Sequence, residues 1–287
     1  MANLLRALYR TAYPALSGSG IHRFRVVRWL DRRLRQRLTA REIVVEGHRL
    51  TLDPEDSLRL SVMGCYQPGA TALLKRRVRT GAIVVDVGAH IGYFTLLLAR
   101  CVGPEGRVYA FEPDAESFAL LERNVAANGY QNVVLEHAAV GSRSGRLRMF
   151  RSQDNAADHR TYDPGDPRRG AEVRSVSLDE YFRDREEEIA LVKIDVQGFE
   201  TVVLAGMKRL VEQKAISDLL IEFWPEGLSS AGSRPRDLLD ALAGCGYRIW
   251  EIEEAGGELR PTSPEGLCQR YTPERCNFTD LYCSRPG

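Results

Sequence analysis

The chain has 287 residues, of which 44% are hydrophobic and 28% are charged, and its formal net charge is +1. These proportions are typical of a globular domain and exclude both a disordered chain and a membrane-embedded one. No stretch approaches about eighteen apolar residues, and the N-terminus has no signal-peptide pattern, so a cytoplasmic location is expected. The six cysteines form no CxxC pair, so reduced thiols are expected.

Residues 1–41 form a strongly basic segment with ten arginines against one acid, Asp31, so the remainder of the chain is net acidic. Two short helices are predicted here, the second with Ile21, Phe24 and Val27 on one face and arginines opposite. This extension predicts a solvated or intramolecular face, or else a peripheral membrane or homo-oligomer contact. It has no interleaved aromatic platform, so nucleic acid is not an expected partner.

Residues 42–80 are expected to form a cap, with a hairpin over residues 42–53 and a helix over residues 70–78. In the main domain, residues 81–287, strands and helices alternate as in a parallel sheet covered on both faces. Helices are predicted at residues 91–101, 115–128 and 201–211. Strands are predicted at residues 83–87, 107–111, 133–137, 188–196, 218–223, 247–252 and 279–283, the last two as an antiparallel pair.

The rhythm is interrupted by a polar insertion, residues 151–170, that is rich in glycine and proline. A loop of this length inside a compact domain is more often functional than idle, so it is predicted to be a lid. It contributes His159 beside Asp158, and histidine exchanges protons readily near neutrality.

The segment VVDVGAHIGYFT, residues 84–95, predicts a ligand-binding turn between a strand and a helix. Gly88 and Gly92 bracket the turn and allow close approach of the main chain. The D-x-G-x-x-x-G spacing differs from the G-x-G-x-x-G that holds a pyrophosphate, and S-adenosylmethionine has no phosphate. Glu112, twenty residues beyond Gly92, ends the next strand and fits the hydroxyls of a ribose.

Four segments in this order, VVDVGAHIGYFT, FEPD, SLDEYF and LVKIDVQGFETVVLAG, resemble the FkbM-type S-adenosylmethionine-dependent methyltransferases. The resemblance implies an α/β fold of class I (Rossmann-like) with a seven-stranded, mostly parallel sheet and an antiparallel final strand. It also implies O-methylation of a small-molecule acceptor such as a sugar, a glycolipid or a polyketide-type natural product. The cofactor-binding residues that it implies are Asp86, Gly88, His90, Gly92, Thr95, Glu112, Pro113, Ala138 and Asp195.

Two residues depart from the family pattern: His90 stands where asparagine is common, and Gln197 where glutamate is usual. A hydroxyl acceptor needs a base in the cleft, and the candidates are Asp195, Glu222 and His159. The same residues with Asp154 and Asp158 are the less favoured candidates for a divalent cation, because no ligand spacing is fixed on one element. The alternatives are an NAD-dependent oxidoreductase and a non-catalytic module that binds S-adenosylmethionine and docks on a membrane through its basic arm.

Overall fold

The computed structural model describes residues 40–152, 157–163, 165, 169–185 and 187–285. Within these ranges, residues 40–66 form one compact unit and residues 67–285 form another. The predicted basic helices lie outside the described residues. The boundary predicted between residues 80 and 81 stays a prediction.

The first unit contains the hairpin that the sequence predicts. Strands β1 (Glu42–Val45) and β2 (His48–Thr51) pair antiparallel, and a short helix, α1 (Leu60–Met63), follows. The turn residues Glu46 and Gly47 both have positive φ angles, of 51° and 77°. Two positive φ angles are the requirement of a tight hairpin turn of type I′, which glycine at the second position favours.

The second unit is built around a twisted eight-stranded sheet. Its strands lie in the order β12, β11, β13, β10, β9, β3, β4, β5. Strands β3, β4, β5, β9 and β10 are mutually parallel, whereas β13 runs antiparallel to both β10 and β11. These strands are β3 (Ile83–Val87), β4 (Arg107–Phe111), β5 (Val133–Glu136), β9 (Ile189–Ile194), β10 (Ile216–Phe223), β11 (Arg248–Ile252), β12 (Leu259–Pro261) and β13 (Thr279–Ser284).

The expected seven strands are present, and β12 is an eighth that the sequence did not predict. It has three residues, ends on a proline and lies at the sheet edge beyond β11. Proline has no N–H to donate and is confined to edge strands, so a segment of this kind carries almost no strand signal. A helix, Pro264–Arg270, also lies between β11 and β13, where none was expected.

Helices pack against the main sheet, and the unit also contains a small, separate three-stranded sheet. The second sheet contains β6 (Ala139–Val140), β7 (Gly145–Arg151) and β8 (Arg169–Val176), with β7 and β8 antiparallel around the polar insertion. The helices of this unit are α2 (Pro68–Arg77), α3 (Tyr93–Val102), α4 (Ala115–Ala127), α5 (Leu178–Tyr181), α6 (Glu200–Ala205), α7 (Lys208–Glu212), α8 (Pro225–Ser230), α9 (Pro235–Gly244) and α10 (Pro264–Arg270).

The single helix predicted for residues 201–211 is two helices, α6 and α7, interrupted at Gly206 and Met207. A Cβ at Gly206 would lie 2.0 Å from the carbonyl oxygen of Gly141. The chain therefore turns where its backbone meets the loop after β6, a tertiary contact that helical periodicity does not report.

The two faces of the main sheet differ in chemistry. Alternate residues of each strand, such as Val87, Ile194 and Phe223, enter one large hydrophobic core. The residues between them include Asp86, Lys193 and Glu222, which are buried on the opposite face. Helix α3 covers this polar face, with the ring of Phe94 5.3 Å from the ammonium of Lys193.

In the part of the chain that the structure describes, no helix has the length and apolar character needed to cross a bilayer.

Candidate active site

The turn after β3 lies at the point where the order of strands reverses. From β3 the chain builds the sheet outward through β4 and β5, and later outward on the other side through β9 and β10. Ligands of open α/β sheets bind beyond the carboxyl ends of strands at such a switch point. Gly88, which follows β3, and Asp195, which follows β9, meet there.

Gly88 is required by this meeting. Its φ is +79°, and a Cβ on it would lie 1.9 Å from the carbonyl oxygen of Asp195. Gly92 has φ +94° and begins α3 where a Cβ would collide with the side chain of Leu121. Gly88 therefore lets the turn lie against the neighbouring strand, where a larger residue would meet its backbone. Gly92 is required chiefly by its positive φ, because the end of the Leu121 side chain can shift.

A buried ion pair lies directly beneath the turn. Asp86 and Thr95 are fully buried, and Thr95 Oγ1 donates to Asp86 Oδ2 at 2.7 Å. Lys193 Nζ is 3.2 Å from Asp86 Oδ1 and donates to the carbonyl oxygen of Gly88 at 3.0 Å. Burial lowers the pKa of Lys193, but Asp86 and Asp195 outweigh it and hold the pKa above its ordinary value. The lysine is therefore charged and ties β9 to the turn.

Glu112 ends β4 and reaches back to the turn. Its Oε2 accepts the N–H of His90 and its Oε1 accepts the N–H of Asp114, both at 2.8 Å. Burial raises the pKa of Glu112 to about 7. A carboxylate has about four acceptor positions, so two remain after these bonds. Asp114 caps α4 by accepting the N–H groups of Glu116 and Ser117.

A cleft beside Glu112 opens between the start of α4 and the β7–β8 hairpin. It is lined by Pro113, His137, Met149 and Val173, among others. His137 stacks on Phe118 with ring centroids 4.7 Å apart. Ala138 is fully buried, and its N–H donates to Glu136 rather than toward the cleft. His137, the residue before Ala138, lines the cleft.

A row of carboxylates continues from Asp195 across the sheet. Glu222 and Asp280 are direct cross-strand partners, and extending the β9–β10 register by one residue puts Asp195 on the other side of Glu222. Gln197 connects Asp195 with Glu222, since its Nε2 donates to Asp195 Oδ1 at 2.8 Å and to Glu222 Oε2 at 3.1 Å.

The row is buried and short of positive charge. Burial, followed by repulsion from Asp195, Glu200 and Asp280, raises the pKa of Glu222 well above its ordinary value. Burial and repulsion from Asp195 raise the pKa of Asp280 to about 8. Asp280 therefore holds near neutrality a proton that an ordinary carboxyl group has lost.

Glu200 and Gly198 fix the turn that carries Gln197. Glu200 Oε1 accepts the N–H groups of Val196 and Gly198 at 3.2 and 3.1 Å. Burial raises the pKa of Glu200 to about 7. Gly198 has φ +103°, and a Cβ on it would lie 2.4 Å from the carbonyl oxygen of Gly227 in α8. The turn is thereby pressed between the end of β9 and α8.

His159 lies apart from the carboxylate row, near Asp114 at the start of α4. Its Nδ1 accepts the N–H of Ser152, and its Nε2 is 3.8 Å from Asp114 Oδ2. Arg151 also pairs with Asp114, at 2.6 Å. The next residue, Arg160, places its guanidinium 5.1 Å from the ring centroid of Trp224, which follows β10. The polar insertion therefore contacts both the start of α4 and the end of β10.

The sequence-based candidates thus fall into two groups: Asp195 with Glu222, and His159 with Asp114 beside Glu112. Lys193 and Asp280 were missed. The available signal was a charged residue at an alternating position inside an otherwise apolar strand, which is rarely buried without a partner or a function. In the described ranges, no three His, Cys, Asp or Glu residues are grouped so as to hold a metal ion.

Comparison with known proteins identifies the family. A family model described as the methyltransferase FkbM domain matches residues 86–249, more than half of the chain. The chain belongs to the FkbM methyltransferase family. The strand order around β3, with an antiparallel last strand, accordingly confirms the predicted class I methyltransferase fold.

Two curated relatives illustrate the range of this similarity. Methyltransferase sdnD of Sordaria araneosa is 28% identical over 182 residues, covering 59% of this chain and 62% of that protein. The human transmembrane O-methyltransferase is 31% identical over 109 residues, covering 37% of each chain. The matched region therefore spans less than two thirds of either relative.

Solved structures are similar at lower identity. An S-adenosylmethionine-dependent methyltransferase from Aquifex aeolicus aligns with TM-score 0.42 and 15% identity, covering 80% of this chain and 93% of that one. An S-adenosylmethionine-dependent O-methyltransferase from Thermotoga maritima aligns with TM-score 0.43 and 14% identity, covering 86% of this chain and 77% of that one.

Proposed function

We propose that this protein transfers the methyl group of S-adenosylmethionine to a hydroxyl oxygen of a small-molecule acceptor. The observation that carries the proposal is the contact of Gly88 with Asp195, from which buried carboxylates continue to Glu222. A cofactor turn and groups able to accept a proton thereby adjoin at the ends of β3 and β9. The family, and the O-methyltransferase among its relatives, support this reaction.

The residues around the turn fit S-adenosylmethionine. Glu112 is a buried carboxylate with acceptor positions left over, which suits the two hydroxyls of a ribose. The neighbouring cleft, with Pro113 and His137 in its walls, suits a flat heterocycle. His90, Gly92 and the start of α3 would hold the methionine end. When bound, the cofactor supplies an electrophilic methyl group on a sulfonium.

The chain's own part in the reaction is to orient the acceptor and to take its proton. In this transfer the cofactor would give its methyl group to the acceptor oxygen, and its sulfur would keep the electron pair of the broken bond. The hydroxyl proton must then pass to a base. Glu222 suits this role, because burial makes its ionised form a stronger base and Gln197 holds one of its oxygens. Asp195 is fixed through the same amide.

Titration calorimetry with S-adenosylmethionine, S-adenosylhomocysteine and NAD tests the cofactor. We expect micromolar binding of the first two and no heat from NAD, since the turn lacks the glycine spacing that holds a pyrophosphate. Tight binding of NAD, with no response to the other two ligands, would contradict the proposal and favour an oxidoreductase.

Two variants separate the roles of the candidate bases. Glu222→Gln keeps the hydrogen bond from Gln197 feasible but removes the base, so kcat should fall about 10²-fold or more at nearly unchanged cofactor affinity. His159→Ala acts beside Asp114, so it should raise the KM for S-adenosylmethionine several-fold with kcat within about twofold. If His159→Ala instead lowered kcat alone, the histidine would be the base.

A further inference from the structure

Asp280 is a buried carboxylate that nothing in the described part of the chain neutralises directly. Its side chain is 8% exposed, and no described residue donates a hydrogen bond to it or forms an ion pair with it. Its cross-strand partner Glu222 is 7% exposed and receives one hydrogen bond, from Gln197. The carboxylate oxygens of the two residues are not fully buried, so solvent reaches them in the free protein, and a ligand that displaces this solvent must supply hydrogen-bond donors in its place.

Lys193 does not satisfy these groups. Its ammonium is bound to Asp86 at 3.2 Å and to the carbonyl oxygen of Gly88 at 3.0 Å, and it reaches Asp195 only at 3.9 Å. Asp86 already balances its charge. Glu254 adds further repulsion to Asp280 from the turn after β11. The row therefore carries more negative than positive charge.

Trp224 follows Glu222 by two residues, immediately after β10. Its ring is already used by a cation of the chain itself, because the guanidinium of Arg160 lies 5.1 Å from the ring centroid. A cation bound at the row would therefore have to be held by the carboxylates.

We propose that the methyl acceptor of this site carries a positively charged nitrogen, a protonated amine or a guanidinium, held by the cross-strand pair Asp280 and Glu222. The inference rests on the proposed function and names the class of its acceptor. An organic cation fits better than a metal ion, because no three described ligand residues are grouped around one point. The N–H groups of an amine donate to separate carboxylates without that requirement.

Binding of such a cation has a consequence for the base. A positive charge next to Asp280 and Glu222 favours their ionised forms, so protons leave the site as the acceptor enters. The acceptor thereby converts Glu222 into the form that can take the hydroxyl proton. Proton release on binding is a signal that does not depend on turnover.

The test uses three pairs of probes that differ by an amine in place of a hydroxyl: glucosamine and glucose, ethanolamine and ethylene glycol, tyramine and tyrosol. Each probe is titrated calorimetrically at about pH 7 into the full chain saturated with S-adenosylhomocysteine. We expect the amine of at least one pair to bind about tenfold or more tightly than its partner, which corresponds to about 1.4 kcal/mol. Repetition in a second buffer of different ionisation enthalpy should show proton release.

Asp280→Asn should reduce this preference to about threefold or less, while the affinity for S-adenosylhomocysteine stays unchanged. Glu222→Gln provides a second variant of the row. Glu212→Gln is the matched control, since Glu212 is an exposed carboxylate on α7 with its side chain 61% exposed. It should leave the preference intact.

Equal affinity within all three pairs, no binding of any probe, or a preference that survives Asp280→Asn would overturn the inference. These outcomes are distinct from failure of the proposed function. If S-adenosylhomocysteine does not bind at all, the methyltransferase proposal fails. If it binds normally and the amines have no advantage, only the charge of the acceptor is wrong.

Discussion

At the scale of single residues, Lys193 connects several groups of the candidate site. It neutralises Asp86, holds the carbonyl of the Gly88 turn and leans toward Asp195. A buried ion pair contributes little compared with a well-packed apolar pair, but removal of one partner leaves the other charge without compensation. Lys193 therefore stabilises the fold mainly because it keeps Asp86 from being buried without a neutralising cation, and less through the net attraction between the two charges.

Lys193→Met should lower the free energy of unfolding by about 3–5 kcal/mol, because Asp86 would stay buried without its cation. Urea denaturation measures the change. Lys208→Met is the control, since Lys208 is 73% exposed on α7 and its one ion pair among the described residues is with Glu212, so its loss should cost less than about 0.5 kcal/mol. Similar losses of stability in both variants would mean that the buried pair of Lys193 and Asp86 contributes no more to the free energy of unfolding than the exposed pair of Lys208 and Glu212.

Sequence reasoning found residues whose chemistry is local and missed those whose role depends on register. The spacing of Gly88 and Gly92 reports a tight turn, and Glu112 ends an apolar strand, so both were found. Lys193 faces Asp86 only because β9 pairs with β3 in one register, and Asp280 faces Glu222 only because β13 is inserted beside β10. The spacing of residues along the chain indicates neither of these strand pairings.

At the scale of elements, the site is assembled by close backbone contacts between turns. Gly88 approaches the end of β9, Gly198 approaches α8, and a Cβ on Gly227 in α8 would lie 2.1 Å from the ring of Trp224. The glycines thus connect the cofactor turn, the carboxylate row and the aromatic face. The sequence predicted that the main chain at Gly88 allows close approach of a ligand, but it predicted neither the contact of Gly88 with the end of β9 nor α8 itself.

Gly198→Ala should disturb this assembly more than its backbone angle alone explains. The new methyl group would meet the carbonyl of Gly227 at 2.4 Å, in addition to the strain of φ +103°. Gly232→Ala isolates the second effect, since Gly232 has φ +82° with nothing within 4 Å. We expect a cost of about 1–2 kcal/mol for the control and at least about 2 kcal/mol more for Gly198→Ala, measured by urea denaturation. Equal costs would mean that α8 moves aside freely.

At the scale of the whole molecule, the active site is a source of instability that depends on pH. Burial raises the pKa of Glu112 and Glu200 to about 7 and, with repulsion from Asp195, that of Asp280 to about 8. A carboxyl group with a raised folded pKa keeps its proton in the native state while the unfolded chain loses it. The unfolded state then binds fewer protons, so stability falls as pH rises from about 4 toward about 8.

The free energy of unfolding should therefore decrease between about pH 5 and about pH 8.5, and Asp280→Asn should make this decrease smaller. The amide cannot ionise, so the variant should be more stable than the parent by about 1–3 kcal/mol at the higher pH and by much less at the lower one. Urea denaturation at both values measures the double difference, with Glu212→Gln as the exposed control. A variant that is equally stable relative to the parent at both values would show that Asp280 titrates normally. The stabilised variant should also be the one that loses the preference for an amine, because the carboxylate that destabilises the native state at the higher pH is the one that we propose to bind the cation.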